Sequence, residues 1–67
     1  MKISKRIRNI RVSKKLTQSD VASKLDISSS AYGQIERNAD KATITTIQKV
    51  ANALDVTINS ILNEDWK

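Results

Sequence analysis

Gln18, Ser28, Ser29, Ser30, Gln34 and Arg37 are hydrogen-bonding side chains gathered in the segment QSDVASKLDISSSAYGQIER, residues 18–37. In its second half, SSSAYGQIER, residues three or four apart share a helix face, so Ser29, Ser30 and Gln34 stand on one side and Tyr32 and Ile35 on another. A face of small, uncharged donors and acceptors is suited to reading base edges, because the major groove of B-form DNA admits one helix and is read by side chains projecting from it. Gln can bond adenine at two points, whereas Ser discriminates less, so Gln34 is expected to matter most for sequence choice. Two roles stand open for Ser29 and Ser30: contact with a base or phosphate, or a share in capping the helix that Ser28 starts.

Other chemistries are poorly supplied. With no Cys and no His the chain lacks thiol and imidazole catalysis, disulfides and the common zinc ligand sets, leaving an enzyme only carboxylates, lysines and hydroxyls. The expectation is a protein that is not an enzyme and takes no cofactor and no metal. No apolar run approaches the roughly 20 residues of a membrane span, and the opening MKISKRIRNIR lacks a signal peptide's apolar segment. A soluble, cytoplasmic protein is expected.

Charge adds a partner. The 67 residues carry a net charge of +5 and a pI of about 9.9, which favours a polyanion. The distribution is sharper than the total: residues 1–16 hold seven cations (Lys2, Lys5, Arg6, Arg8, Arg11, Lys14, Lys15) and no acid, while the rest holds five cations and seven acids. The positive field therefore belongs to the first helix and the surface beside it.

One domain is expected over residues 1–67, all-α, with a stability margin of a few kcal/mol. With no Pro and one Gly, helix ends must be set by caps. Five helices follow. The first, about 3–14, repeats Ile3, Ile7 and Ile10 and continues to Arg11 on the same side. The second starts at Thr17, paired with Asp20 in a capping-box pattern, and buries Val21, Ala22 and Leu25. The third starts at the Ser28 cap and buries Tyr32 and Ile35. The fourth starts near Thr43 and shows the strongest period, Ile44, Ile47, Val50, Ala51 and Leu54. The fifth runs from the Thr57 cap through Ile58, Ile61 and Leu62, before the tail NEDWK.

The pattern Ala22-x-x-Leu25-Asp26-Ile27-Ser28 recurs 29 residues later as Ala51-x-x-Leu54-Asp55-Val56-Thr57. Each reads as a helix-turn-helix junction: a last core Leu, an Asp that tolerates the left-handed geometry ending a helix, a buried Ile or Val, and a new cap. Good turn chemistry used twice accounts for the echo, and an internal duplication is the alternative. The face after Thr57 is apolar and ends in Glu64 and Asp65, which repel phosphate; the face after Ser28 is polar and closed by Arg37. The first junction is thus the reader.

Arg11, Gln18, Val21-Ala22, Leu25-x-Ile27-Ser28, Tyr32-x-x-Ile35-Glu36 and Ile47-x-x-Val50-Ala51-x-x-Leu54-x-Val56 together resemble the Cro and phage-repressor type, or Xre-like, helix-turn-helix family over about residues 7–62. The resemblance implies a five-helix bundle with the helix-turn-helix formed by helices 2 and 3, about 18–37. It implies double-stranded DNA as partner, helix 3 in the major groove with Ser28, Ser29, Ser30 and Gln34 facing bases, and Gln18 on a backbone phosphate at the start of helix 2, where free amides favour an anion. Arg37 and Lys41 would approach the backbone after helix 3, with Thr17 and Thr43 grouped among the phosphate contacts. It also pairs Arg11 with Glu36, an arginine fork neutralising a carboxylate that would otherwise sit near phosphates; two unrelated surface charges are the plainer alternative.

The sequence departs from the family pattern in places. Asp26 and Asn38 stand at turn positions where Gly is frequent, both tolerating left-handed geometry, and Ala42 replaces a frequent Pro. Gly33 inside helix 3 costs about 1 kcal/mol relative to Ala, and either permits a close approach or is merely tolerated. The expected function is sequence-specific DNA binding by a transcriptional regulator, a repressor acting as a homodimer on a palindromic operator. Ile58, Ile61, Leu62 and Trp66 form the expected dimer surface, with Trp66 alternatively folded onto its own core. The competing function is a small protein-interaction module, adaptor or antitoxin-like, using that C-terminal apolar surface.

Overall fold

The computed structural model describes residues 3–62. Five α-helices follow one another, α1 (Ile3–Ser13), α2 (Gln18–Leu25), α3 (Ser29–Arg37), α4 (Ile44–Leu54) and α5 (Ile58–Leu62), with a 3-10 turn at Ala39–Lys41 and no strand among the described residues. This is the all-α bundle expected, with boundaries within a residue of those read from the caps.

Each of the last four helices starts on a hydroxyl. Thr17 Oγ1 accepts the Asp20 N–H at 3.0 Å and Asp20 Oδ2 accepts the Thr17 N–H at 2.8 Å, a complete capping box. The Thr17 amide and hydroxyl bonds hold the Asp20 carboxyl below its ordinary pKa. Ser28 accepts from Ala31 N–H at 3.1 Å, Thr43 from Thr46 N–H at 3.3 Å, and Thr57 from Ser60 N–H at 3.3 Å. The start of α1 is tied from a distance: Asp40 Oδ1 accepts the Ser4 N–H at 3.2 Å, placing a carboxylate at the positive end of the helix.

Helix ends repeat one device three times. Lys15, Asp26 and Asp55 lie at φ of 61°, 60° and 60°, and the residue after each returns its N–H to the carbonyl five positions back: Leu16 to Arg11, Ile27 to Ala22 and Val56 to Ala51. Asp26 and Asp55 make the two junctions copies in backbone geometry, but Ile27, expected to be buried, is 36% exposed and Val56 is half-buried. Lys15 is the unexpected member, since a Lys carries no local hydrogen bond that favours left-handed backbone. Lys15→Gly is therefore expected to stabilise the domain by about 1 kcal/mol, raising the melting temperature by roughly 5 °C; a lower melting temperature would show that the turn is not strained.

The core is built from Ile7, Val21, Tyr32, Ile47, Val50, Leu54 and Ile61, all fully buried. α2 packs on α3 and α4, and α1 on α3, α5 and the 3-10 turn. Several expectations need correction. Ile44, counted in the α4 period, is 63% exposed because it is the first residue of the helix, beyond the packed turns. Leu25 and Ile35 are only half-buried at the edge of the core. Asn38 has φ −102°, not left-handed, because α3 runs directly into the 3-10 turn. Ile61, assigned to a dimer surface, is 0% exposed and belongs to the monomer core. Ile58 is half-buried and packs against the same core, Leu62 is exposed, and Trp66 lies outside the described residues.

Candidate nucleic-acid interface

Glu36, near the end of α3, is 5% exposed, and four donors converge on it. Arg11 Nε reaches Oε2 at 2.8 Å and Arg11 Nη2 reaches Oε1 at 3.2 Å; Tyr32 Oη donates to Oε2 at 2.9 Å and Gln18 Nε2 to Oε1 at 3.2 Å. Arg11 spends its remaining terminal nitrogen on the Leu16 carbonyl at 2.9 Å, clamping the turn between α1 and α2. One carboxylate thus joins three helices. Burial pushes the Glu36 carboxyl up, but the bonds from Arg11, Tyr32 and Gln18 outweigh it and hold the group below its ordinary value. Burial, then the Glu36 charge, pushes the Tyr32 hydroxyl well above its ordinary value.

Gln18 owes its position to this hub. Its amide lies across α3 at Gly33, where a Cβ would stand 3.4 Å from Gln18 Oε1, an ordinary contact distance. Gln18 itself remains exposed at the first turn of α2, where the amides have no helical partner.

On the other side of α3, Ser29, Ser30 and Gln34 are exposed, while Tyr32 is 0% exposed and packs in the core. The helix therefore turns a polar face outward from a fixed apolar one. Ser28 is also exposed, but its hydroxyl is engaged in the cap. Thr17 and Thr43 are likewise occupied as caps, and Thr43 Oγ1 lies 3.1 Å from Thr46 Oγ1. Arg37 closes α3 and Lys41 closes the 3-10 turn, both exposed.

The amino-terminal cations divide. Lys5, Arg8, Lys14 and Lys15 are exposed, but Arg11 is committed to Glu36 and Arg6 is 3% exposed, its Nη1 donating to the Ile61 carbonyl at 3.0 Å. Arg6 Nε has no partner among the described residues. Counting charge could not separate a buried strut from a surface cation; the one sign in the sequence is that Arg6 adjoins the Ile3, Ile7, Ile10 stripe. The Gln18 to Glu36 bond is likewise invisible there, since it depends on how α2 crosses α3.

A family model described as helix-turn-helix matches residues 7–61, spanning α2, α3 and the core helices that carry them. The chain belongs to the Cro/C1-type helix-turn-helix family. The chain is also similar to the immunity repressor protein of Bacillus phage phi105, at 35% identity over 65 residues. That match covers 97% of this chain and 45% of the relative, so the chain spans about half the relative's length. Comparison with solved structures finds no match. As a Cro/C1-type domain the chain is a DNA-binding module of transcription regulators, and its helix-turn-helix is the α2, Asp26 turn, α3 unit described above. Among the described residues, no cluster of His, Cys, Asp or Glu could hold a metal ion and no helix is long and apolar enough to cross a membrane.

Proposed function

We propose that this chain is a single domain that binds a specific double-stranded DNA operator and represses transcription by occupying it. The observation that carries the reading is the division of α3: Tyr32 and Glu36 fix one side of the helix while Ser29, Ser30 and Gln34 remain exposed on the other. Side chains free of internal duties on a helix held from behind are what base reading in the major groove requires. Gln34 takes adenine through its amide, and Ser29 and Ser30 contact neighbouring bases or phosphates. Ser28 orders the helix start with its hydroxyl and lies at the edge of the same surface.

Phosphate contacts flank this face. Gln18 presents its carboxamide beside the free amides of α2, where an anion is favoured by both hydrogen bonding and the helix dipole. Arg37 and Lys41 supply exposed charge after α3, and Thr17 and Thr43 approach the backbone with the amide-rich helix starts they cap. The repressor role is supported by the name of the phage relative, an immunity repressor protein.

A module of this size contacts few base pairs, so specificity is assigned to a two-fold dimer on half-sites about one helical turn apart. Leu62, 37% exposed, and the half-buried Ile58 are the apolar side chains α5 offers to such a contact. Selection from a pool of random duplexes is expected to enrich a palindrome with that spacing. Recovery of no preferred sequence would remove specific DNA binding, and recovery of a single half-site would remove the dimer.

A further inference from the structure

Gln34 borders a second surface. Between α3 and the start of α4 runs an open groove lined by Ile27, Ala31, Ile35 and Ala42, together with the polar Gln34 and Lys41. Ile27 is 36% exposed, and Ala31, Ile35 and Ala42 are half-buried, so apolar surface stays open to solvent directly beside the residue assigned to adenine. Ile27, Ala31 and Gln34 form one row along that edge of the helix, because positions three or four apart are neighbours. The polar face of α3 has no such apolar contact to offer: Ser29 and Ser30 carry only hydroxyls, which discriminate little between bases.

We infer that Ile27 and Ala31 read the 5-methyl group of a thymine in or beside the base pair that Gln34 takes. The inference rests on the base-reading function proposed above and supplies the part of the code that hydrogen bonds leave out. Of the groups that base pairs present in the major groove, the thymine methyl is the apolar one; the others are hydrogen-bond donors and acceptors. An apolar side chain gains by covering that methyl, whereas against any other base edge it strips water from a polar group and returns no hydrogen bond. Thymine is favoured over 5-methylcytosine on two grounds. The adenine taken by Gln34 brings thymine as its partner, and the cytosine amino group beside a 5-methyl would be covered by Ile27 without an acceptor. Lys41, exposed at the same groove, adds a cation that suits an occupant carried on a phosphate backbone.

The test uses the duplex recovered by selection and the same duplex with deoxyuridine in place of each thymidine in turn. Deoxyuridine keeps every hydrogen-bonding group of thymidine and lacks only the methyl. At one thymine in or beside the pair whose identity Gln34→Ala no longer distinguishes, affinity is expected to fall about fourfold for each methyl removed, the effect of uncovering one such group. The double variant Ile27→Ala/Ala31→Ser is expected to bind the thymidine and deoxyuridine duplexes alike. Each ratio compares two duplexes with one protein, so any loss of folded protein in the variant cancels. Deoxyuridine that is neutral at every position would overturn the inference, and so would a ratio that the variant leaves unchanged. Replacing cytosines by 5-methylcytosine is expected to bring no gain; tighter binding there that the variant loses would give the surface to that base and overturn the thymine assignment. Failure of the underlying reading looks different, since selection would then recover no preferred sequence, or Gln34→Ala would lose affinity equally on selected and random DNA.

Discussion

Glu36→Ala is expected to leave most of the chain unfolded at room temperature. The substitution strips the acceptor from two Arg11 nitrogens, the Tyr32 hydroxyl and the Gln18 amide, and leaves a guanidinium only 12% exposed without its counter-charge. Removing one partner of a buried ion pair costs about 3–5 kcal/mol, which matches or exceeds the margin of a few kcal/mol that a domain of this size has. Urea unfolding followed by circular dichroism reads it directly, and a loss within about 1 kcal/mol would show the hub to be dispensable.

Acid should reach the same bond by another path. The Glu36 carboxyl is held below its ordinary value of 4.5, so the folded state binds its proton less readily than the unfolded chain. Its contribution is therefore fully present above that unfolded value and is lost as pH falls below about 4.5 toward the depressed folded value. Glu36→Gln retains an acceptor without the charge; it should be less damaging than Ala and should lose this share of the acid dependence.

Gln34→Ala is expected to weaken recognition and leave the fold alone. The side chain is exposed and makes no hydrogen bond within the described chain, while its backbone carbonyl continues to accept the Asn38 N–H at 3.0 Å. Removing a bidentate adenine pairing costs about 1–3 kcal/mol, roughly ten- to hundredfold in affinity, on the preferred duplex, with little change on random DNA. Equal losses on both would take the base-reading role away from Gln34. The two substitutions lie two residues apart on one helix, yet one is expected to abolish folding and the other only discrimination.

The helix layout was legible because its signals are local. Thr17, Ser28, Thr43 and Thr57 cap their helices within three residues, and Asp26 and Asp55 end theirs with the geometry that their side chains tolerate. The two-sided character of α3 was legible because it follows from helical spacing, with Ser29, Ser30 and Gln34 exposed opposite the buried Tyr32. What escaped depends on packing between distant elements. Arg6 counts as one more amino-terminal cation until α5 covers it, and Ile61 reads as a sticky helix end until the core closes around it. Gly33 has two meanings in the sequence because its neighbour, Gln18, comes from another helix.

The long-range polar ties of α1 share a feature of timing. Arg11 to Glu36, Arg6 to Ile61 and Ser4 to Asp40 span 25, 55 and 36 residues, whereas the turns on either side of α3 and before α5 close within a few residues. Contacts of high separation form only after the loop between them has been ordered, so the α2 and α3 pair can assemble early and α1 docks onto it late. Detachment of α1 is correspondingly the step that breaks the most distant ties of the fold at once. It would release the Arg11 brace behind α3 at the same moment, making the first helix a latch for the whole bundle and, on the proposed reading, for the face that meets DNA.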